Sequence, residues 1–179
     1  MNVLTSELQP TIAADRFDLR PVRPSDAGLF QLYAGDERVA SFTRSIPHPL
    51  PPGASEAFIK RSMAPERSED VWVLDGSRFG QSEVLGVIGL DRINDTQSEI
   101  GYWVVPASWN TGLASEAVRA LLAANPLKNT SIVAEVFQDN PRSAQVLTNA
   151  GFEYIGDAEA FCVARNATVR TWTYVRKMD

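Results

Sequence analysis

Residues 105–115, VPASWNTGLAS, combine features that suit the binding of an anion. An apolar stretch ends before them, a short loop carries Asn110 and Gly112, and a helical pattern then begins with small residues. The first backbone N–H groups of a helix have no partner within it and carry partial positive charge. Because Gly112 allows close approach to the backbone, this stretch is suited to a phosphate or pyrophosphate. An ordinary strand-to-helix turn is the alternative interpretation.

A second stretch, residues 135–152 (EVFQDNPRSAQVLTNAGF), carries a hydroxyl in a place that local structure does not explain. Asn140 is a typical helix N-cap, Pro141 a typical first helical residue, and Gly151 a typical helix stop. None of these roles accounts for Ser143, which lies in the first turn of the helix. Its hydroxyl is therefore a candidate for chemistry near the ends of the neighbouring strands.

The elements that must position these stretches form a mixed α/β pattern. Strand 99–105, helix 113–124 and strand 131–137 make a β-α-β unit, which requires parallel strands and a right-handed crossover. The strands before it, at 71–74, 84–93 and 99–105, read as an antiparallel meander. The pattern also predicts strands at 17–22, 152–162 and 168–177, and helices at 54–63, at 141–150 and from an N-cap at Ser25 to Gly35.

Length and composition restrict the class of protein. The chain has 179 residues and a net charge of −5, as expected for one soluble globular domain. We assign residues 1–15 to a flexible N-terminal arm and residues 16–179 to a single domain. No basic run is present, which disfavours nucleic acid as a partner. The one cysteine and one histidine, Cys162 and His48, leave too few ligands for a metal site, and Cys162 lies in an apolar stretch typical of a core residue.

The sequence also indicates where the protein works. No apolar run approaches the roughly 20 residues of a membrane span. The first residues, MNVLTSE, lack the basic start and apolar middle of a signal peptide. We therefore expect a cytoplasmic protein without a membrane partner.

Taken together, the two stretches resemble the GNAT N-acetyltransferase superfamily, most closely its RimJ/RimL-like branch of ribosomal-protein N-acetyltransferases. The cofactor loop of the superfamily reads Gln/Arg-x-x-Gly-x-Gly/Ala, and WNTGLA matches its last two fixed positions, with Trp109 in the first. Asn140-x-x-Ser143 followed by Gly151 matches the second signature. LRPVRPSDA, residues 19–27, resembles the first strand and helix start, and the resemblance covers residues 15–177.

The resemblance implies a GNAT-like (acyl-CoA N-acyltransferase) fold, a mixed, mostly antiparallel sheet of about seven strands with a central splayed parallel pair and about four helices. Acetyl-CoA is then the co-substrate, entering between strands 99–105 and 131–137, and no metal takes part. Arg119 and Arg142 are candidates for additional phosphate contacts. The implied cofactor-binding residues are Val104, Trp109, Asn110, Thr111, Gly112, Leu113, Ala114, Ser115 and Asn140.

The resemblance also implies the reaction, in which an amine attacks the thioester, a base takes the ammonium proton, and an acid protonates the leaving thiolate. Many GNAT enzymes use a tyrosine seven residues after the asparagine; here that position is Leu147, so we assign the donor role to Ser143. Two glutamates are candidate bases, Glu135 and Glu99, and we favour Glu135 for its five-residue spacing to Asn140. His48, in a proline-rich loop, is a candidate for substrate contact.

Two classes of function stay open. The leading one is an N-acetyltransferase that moves the acetyl group of acetyl-CoA to a primary amine by direct attack in a ternary complex. The alternative is a catalytically degenerate acyl-CoA-binding or sensor module, favoured by Leu147 and Asn110. A nucleotide-phosphate domain is disfavoured because no Gly-Lys-Ser/Thr follows the loop.

The acceptor is not named by the sequence. A protein N-terminus, an amino acid, a polyamine and an aminoglycoside all present an amine. We expect acceptor specificity to reside in residues 36–65 and 157–170, and whether the chain forms a homodimer stays open.

Overall fold

A single mixed sheet of eight strands organises the protein in the computed structural model, which describes residues 9–179. The strand order is β1-β2-β3-β4-β5-β6-β8-β7. The strands are β1 (Ile12–Ala13), β2 (Asp18–Pro21), β3 (Glu69–Asp75), β4 (Gly86–Asn94), β5 (Gln97–Val104), β6 (Ser131–Phe137), β7 (Glu153–Cys162) and β8 (Ala167–Lys177). The helices are α1 (Ala27–Ala34), α2 (Glu37–Ala40), α3 (Ala54–Met63), α4 (Leu113–Ala124) and α5 (Pro141–Asn149).

Every neighbouring pair of strands is antiparallel except β5 and β6. The predicted mixed, mostly antiparallel sheet with one parallel pair is confirmed. The last hairpin reverses the order at one side, because β8 returns to pair with β6 and leaves β7 at the edge. The single parallel pair follows from α4, which connects β5 to β6 as a crossover helix.

Helices cover both faces of the sheet. On one face α4 and α5 pack on a large core that includes Trp72, Ile88 and Leu147. On the other face α1 and α3 pack on a smaller core around Phe30 and Val73. Strands buried on both faces need apolar side chains at every position, as in residues 71–74, VWVL, which are all buried.

The structure differs from the expected arm over residues 9–15. Ile12 and Ala13 form β1 and pair with β2. The side-chain amide of Gln9 donates to the Val71 carbonyl at 2.6 Å, and the Trp72 indole donates to the Pro10 carbonyl at 2.8 Å. These long-range bonds fix a segment whose own sequence carries no strong pattern. Residues 1–8, the rest of the expected arm, lie outside the described residues.

The start of α1 also differs from the prediction. Ser25 is not its N-cap but the middle of a 3-10 turn, Pro24–Asp26. Asp26 precedes the helix, and its buried carboxylate accepts from the Arg20 guanidinium at 2.7 and 3.0 Å and from the Arg23 backbone N–H at 2.9 Å. A buried charge must be paired, and Arg20 provides that partner from β2. The predicted core position of Cys162 is confirmed, since its side chain is fully buried.

Candidate active site

The two parallel strands separate soon after they begin. β5 and β6 pair at three positions only, the last of which joins Glu99 to Val133. β5 continues to Val104 and β6 to Phe137, while the other side of β6 remains paired with β8. The strands therefore diverge into an opening beyond Glu99, which we call the cleft. Both α4 and α5 begin at its wide end, because each follows one of the two parallel strands.

The loop before α4 presents free backbone donors at this end. Asn110 and Gly112 both have left-handed backbones, with φ of 63° and 82°. Gly112 is the N-cap and offers no side chain to cap the helix, so the N–H groups of residues 113–115 have no partner within it. Residues 110–112 are exposed, while Leu113 is buried and anchors the turn. This geometry fits a pyrophosphate on residues 109–115; the assignment stays a prediction.

Trp109 holds the C-terminal end of β5. Its indole Nε1 donates to the Val104 carbonyl at 2.7 Å. The Val105 N–H bonds the Leu85 carbonyl on the β4 side, so strand alternation turns the N–H and carbonyl of Val104 toward the cleft. The carbonyl is already taken by Trp109. Of the two backbone groups that Val104 turns toward the cleft, the N–H is therefore the one left for a ligand.

The start of α5 brings a hydroxyl pair to the cleft. The Asn140 side chain caps the helix by accepting from the Ser143 N–H at 3.4 Å. The Ser143 hydroxyl lies 2.7 Å from the Tyr102 phenol oxygen, with either atom able to donate. Asn140 thus has the structural role expected of an N-cap, and it orients the turn that carries Ser143.

Tyr102 is the functional candidate that the sequence reasoning missed. Burial raises the pKa of its phenol to about 12, so the group keeps its proton at neutral pH and can donate to Ser143. The available signal was strand alternation: Tyr102 stands between Ile100 and Val104 on the face that packs against α4 and α5. Leu147, seven residues after Asn140, is fully buried in the core.

The candidate bases lie on the opposite face of the sheet. Alternation places Glu99 and Trp103 on the other side of β5 from Tyr102, and Trp103 packs there against the α1–α3 core. Glu135 has the same orientation on β6, because its neighbours Ala134 and Val136 belong to the α4–α5 core. Ser143 and Glu135 therefore flank the cleft from opposite faces, and Glu99 lies at its closed end, where β5 and β6 still pair.

Carboxylates cross four neighbouring strands on this second face. In register, Glu69 of β3 lies beside Asp91 of β4, and Asp91 lies beside Glu99 of β5. Glu135 of β6 stands two residues beyond the Glu99 partner on the same face. Burial, with Asp91 beside it, raises the pKa of Glu69. We call these four residues the acidic row.

Arg44 lies closer to one candidate base than to the other. Its guanidinium contacts the Glu99 carboxylate directly, while its nearest nitrogen to Glu135 is 4.0 Å from Oε1. Within residues 9–179, Oε1 of Glu135 is buried and has no hydrogen-bond partner. Glu99 is therefore the closely paired carboxylate, and Glu135 carries a buried acceptor oxygen without a hydrogen-bond partner among the described residues.

The chain matches a known family over most of its length. The family described as acetyltransferase (GNAT) domain matches residues 16–153. The chain belongs to the GNAT acetyltransferase family. As a member of it, the protein is an acetyl-CoA-dependent N-acetyltransferase.

Individual relatives agree with this assignment. This acetyltransferase is 26% identical to the uncharacterized N-acetyltransferase YoaA of Bacillus subtilis over 152 residues, which covers 82% of this chain and 85% of the relative. It is 35% identical to the ribosomal-protein-serine acetyltransferase of Escherichia coli over 80 residues, 41% of this chain and 44% of that protein. The predicted likeness to the RimJ/RimL-like branch is confirmed.

Solved structures show the same fold. The microcin C7 self-immunity acetyltransferase MccE, in complex with acetyl-CoA and AMP, is 16% identical and superposes with a TM-score of 0.80. The superposition covers 96% of this chain and 98% of that one. In residues 9–179 of this acetyltransferase, no helix has the length and apolar character needed to traverse a bilayer.

The acetyltransferase builds the acidic side of the cleft from segments far apart in sequence. The loop after α2 is held by the turn of the β7–β8 hairpin, where the Val163 N–H donates to the Arg44 carbonyl at 3.0 Å. Arg165 donates to the Ser41 carbonyl at 2.7 Å and forms an ion pair with Asp139. The two segments expected to determine specificity, 36–65 and 157–170, therefore meet beside the acidic row.

The remaining candidates lie elsewhere. His48 is 4.0 Å from the Glu37 carboxylate. Arg142 is exposed in the first turn of α5. Arg119 lines a surface cavity of about 430 Å³ with Asn149 and Arg176, toward the C-terminal halves of α4 and α5. Phosphate contacts by Arg119 and Arg142 stay predictions.

Proposed function

We propose that this acetyltransferase acetylates the primary amine of a cationic acceptor, with Glu135 as general base and Ser143 as general acid. The observation that carries the proposal is the placement of the two groups. A carboxylate with an acceptor oxygen that is unpaired within residues 9–179, and a hydroxyl with a hydrogen-bonded donor behind it, flank one cleft from opposite faces of the sheet. An acceptor amine and a thioester that meet in the cleft would each have the proton-transfer group that they need.

Glu135 supports the base role through its free oxygen. The ammonium form of an amine has no lone pair, so a base must take one proton before the nitrogen can attack. Glu99 is engaged by the Arg44 guanidinium, and an opposite charge in contact favours the ionised form of a carboxylate over the protonated one. Glu135 contacts no guanidinium as closely, and in the part of the chain that the structure describes its Oε1 has no hydrogen-bond partner to give up before it takes a proton.

Ser143 supports the acid role through Tyr102. As the amine nitrogen bonds to the acetyl carbon and the carbon–sulfur bond breaks, the leaving thiolate requires a proton. Ser143 donates its hydroxyl proton, and the Tyr102 phenol, 2.7 Å away, can replace that proton in the same hydrogen-bond chain. The N–H of Val104, facing the cleft, is a donor for developing negative charge.

The acidic row supports a cationic acceptor. It carries four carboxylates; among residues 9–179, the Arg44 guanidinium contacts Glu99 directly, and Arg61 lies near enough to act on Glu69. A positively charged acceptor, such as a polyamine or a protein N-terminus followed by a basic residue, would gain attraction along the row before its amine reaches Glu135. An acceptor with an acidic group beside its amine would be repelled.

The test measures thiol release from acetyl-CoA with two matched pairs of amines. One pair is a monoamine and a diamine of equal chain length; the other is two peptides that differ by a lysine or glutamate after the first residue. We expect the diamine and the lysine peptide to have the higher kcat/KM, with the preference weakened by salt. Equal values within both pairs would contradict the acceptor class.

Variants at the hydroxyl pair test the chemistry itself. Ser143→Ala is expected to lower kcat by about 10²-fold, the usual range for one acid–base group, with CoA affinity unchanged. Tyr102→Phe is expected to lower kcat less, because Ser143 keeps its own proton. Thr148→Ala is the matched control, since that hydroxyl lies on the same helix and bonds the Ala144 carbonyl. Normal kcat in Ser143→Ala would assign the proton to water.

A further inference from the structure

Three hydrogen bonds fix Arg16 against the start of α4, which lies far from Arg16 in sequence. Its backbone N–H and its Nε donate to the two carboxylate oxygens of Glu116, at 3.0 and 2.7 Å. Its Nη1 donates to the Thr111 carbonyl at 2.8 Å. The guanidinium is thus locked to both the loop and the first turns of the helix.

The remaining nitrogen of this guanidinium lies at the candidate phosphate site. Nη2 is 3.4 Å from the position that a Cβ at Gly112 would occupy. Across residues 9–179 no hydrogen bond uses it, and the Arg16 side chain is 48% exposed. A cationic N–H donor therefore stands beside the helix start with its hydrogens free.

The local charges show why a cation is needed there. Glu116 is buried near the N-terminus of α4, where an unpaired carboxylate would repel a phosphate. Arg16 cancels that charge through the ion pair. No Lys or Arg occurs in residues 105–115, and the indole N–H of Trp109, in the first position of the loop motif, is used on Val104.

We propose that Arg16 is a phosphate-binding residue of the cofactor site, with Nη2 donating to a pyrophosphate oxygen of CoA. Glu116 is its positioning partner, holding the guanidinium so that one edge pairs with the carboxylate and the other faces the ligand. Guanidinium groups suit this task because their donors form a rigid planar fork that matches phosphate oxygens. The role concerns the cofactor, so it does not depend on the acceptor proposed above.

The test is calorimetric binding of CoA and dephospho-CoA to the protein and to Arg16→Gln. Both ligands retain the pyrophosphate, so we expect the same loss of affinity for each, about 10-fold, as for one charge-assisted hydrogen bond. Arg16→Lys should lie between the two proteins. Arg78→Gln is the matched control, because Arg78 is an exposed arginine that binds Asp18 with two donors and lies outside the site.

A donor without phosphates separates ligand contact from support of the fold. Acetyl-pantetheine lacks the pyrophosphate, so its kcat/KM should be the same for Arg16→Gln as for the unaltered protein. An equal loss for acetyl-pantetheine and acetyl-CoA would assign Arg16 to loop support and overturn the proposal. Unchanged CoA affinity in Arg16→Gln would overturn it too, as would a loss for CoA that dephospho-CoA does not share.

Discussion

The two faces of the sheet at the cleft are built in different ways. On the α4–α5 face the groups that suit the cofactor are, apart from Arg16, backbone donors, a glycine turn and a helix cap within residues 104–143. On the α1–α3 face the groups that suit an acceptor are side chains from β3, β4, β5 and β6, together with Arg44 from a loop. The first face relies mainly on short-range structure, and the second relies on long-range contacts.

This difference corresponds to what the two ligands share and what they do not. Acetyl-CoA is common to the family, and backbone N–H groups bind its phosphates whatever the neighbouring side chains are. An acceptor has to be distinguished from other amines, and that depends on side-chain charge and shape. Substitutions on one face should therefore change the binding of one ligand and spare the other.

The largest effect is expected for Gly112→Trp. A large side chain at the helix start blocks several charge-assisted backbone contacts at once, each worth about 1.5–3 kcal/mol, so CoA affinity should fall by at least roughly 10³-fold. Calorimetry with CoA measures this. Gly53→Trp is the control, because Gly53 is also a helix N-cap with φ of 82° and has open space around it. Unchanged affinity in Gly112→Trp would remove the cofactor from this loop.

The next effect concerns the two glutamates. Glu135→Gln should lower kcat/KM by about 10²–10³-fold and flatten the ascending limb of its pH profile, since that limb reports the group that must lose a proton. Glu99→Gln should have a smaller effect, because Arg44 already engages that carboxylate. CoA affinity should be unchanged in both variants. The reverse order of the two effects would transfer the base role to Glu99.

The smallest effect is expected for Gly101→Val. Gly101 faces the acceptor side of β5, is exposed, and has no atom within 4 Å of the position of an added Cβ. Valine suits a strand, so stability should be kept or raised, while the acceptor KM should rise roughly 10-fold from lost space. Thermal unfolding and acceptor titration measure the two quantities. A rise in the CoA dissociation constant instead would show that the faces are not independent.

Local patterns predicted much of the fold. The bounds of α3, α4 and β6 coincide with the prediction, because caps, glycine stops and periodicity are properties of neighbouring residues. β1 and α2, with two and four residues, are too short for a period to show. Ser25 is not the cap because Asp26 takes that position, where Arg20 of the preceding strand β2 holds its carboxylate.

The candidate site likewise has a part that local patterns predicted and a part that they did not. Loop 109–115, Asn140 and Ser143 were readable from motifs, Glu135 from its spacing to Asn140, and Glu99 from its place at the start of a strand. The partnership of Ser143 with Tyr102, and of Arg44 with Glu99, joins residues on different elements. No local pattern encodes such pairs, since the sheet order and register must be known first.

The clamp between Arg165 and the loop after α2 limits how this protein can acquire a new acceptor. Arg165 bonds the Ser41 carbonyl and stacks on Phe42 and Phe137, so the hairpin turn and the loop have a common scaffold. If either segment alone were replaced by that of another enzyme, the Arg165 guanidinium and the Ser41–Phe42 stretch would no longer be matched to each other. A chimera that exchanges residues 41–48 and 162–167 together keeps the contact between Arg165 and the Ser41 carbonyl within the exchanged parts, so the two segments are best engineered as one unit.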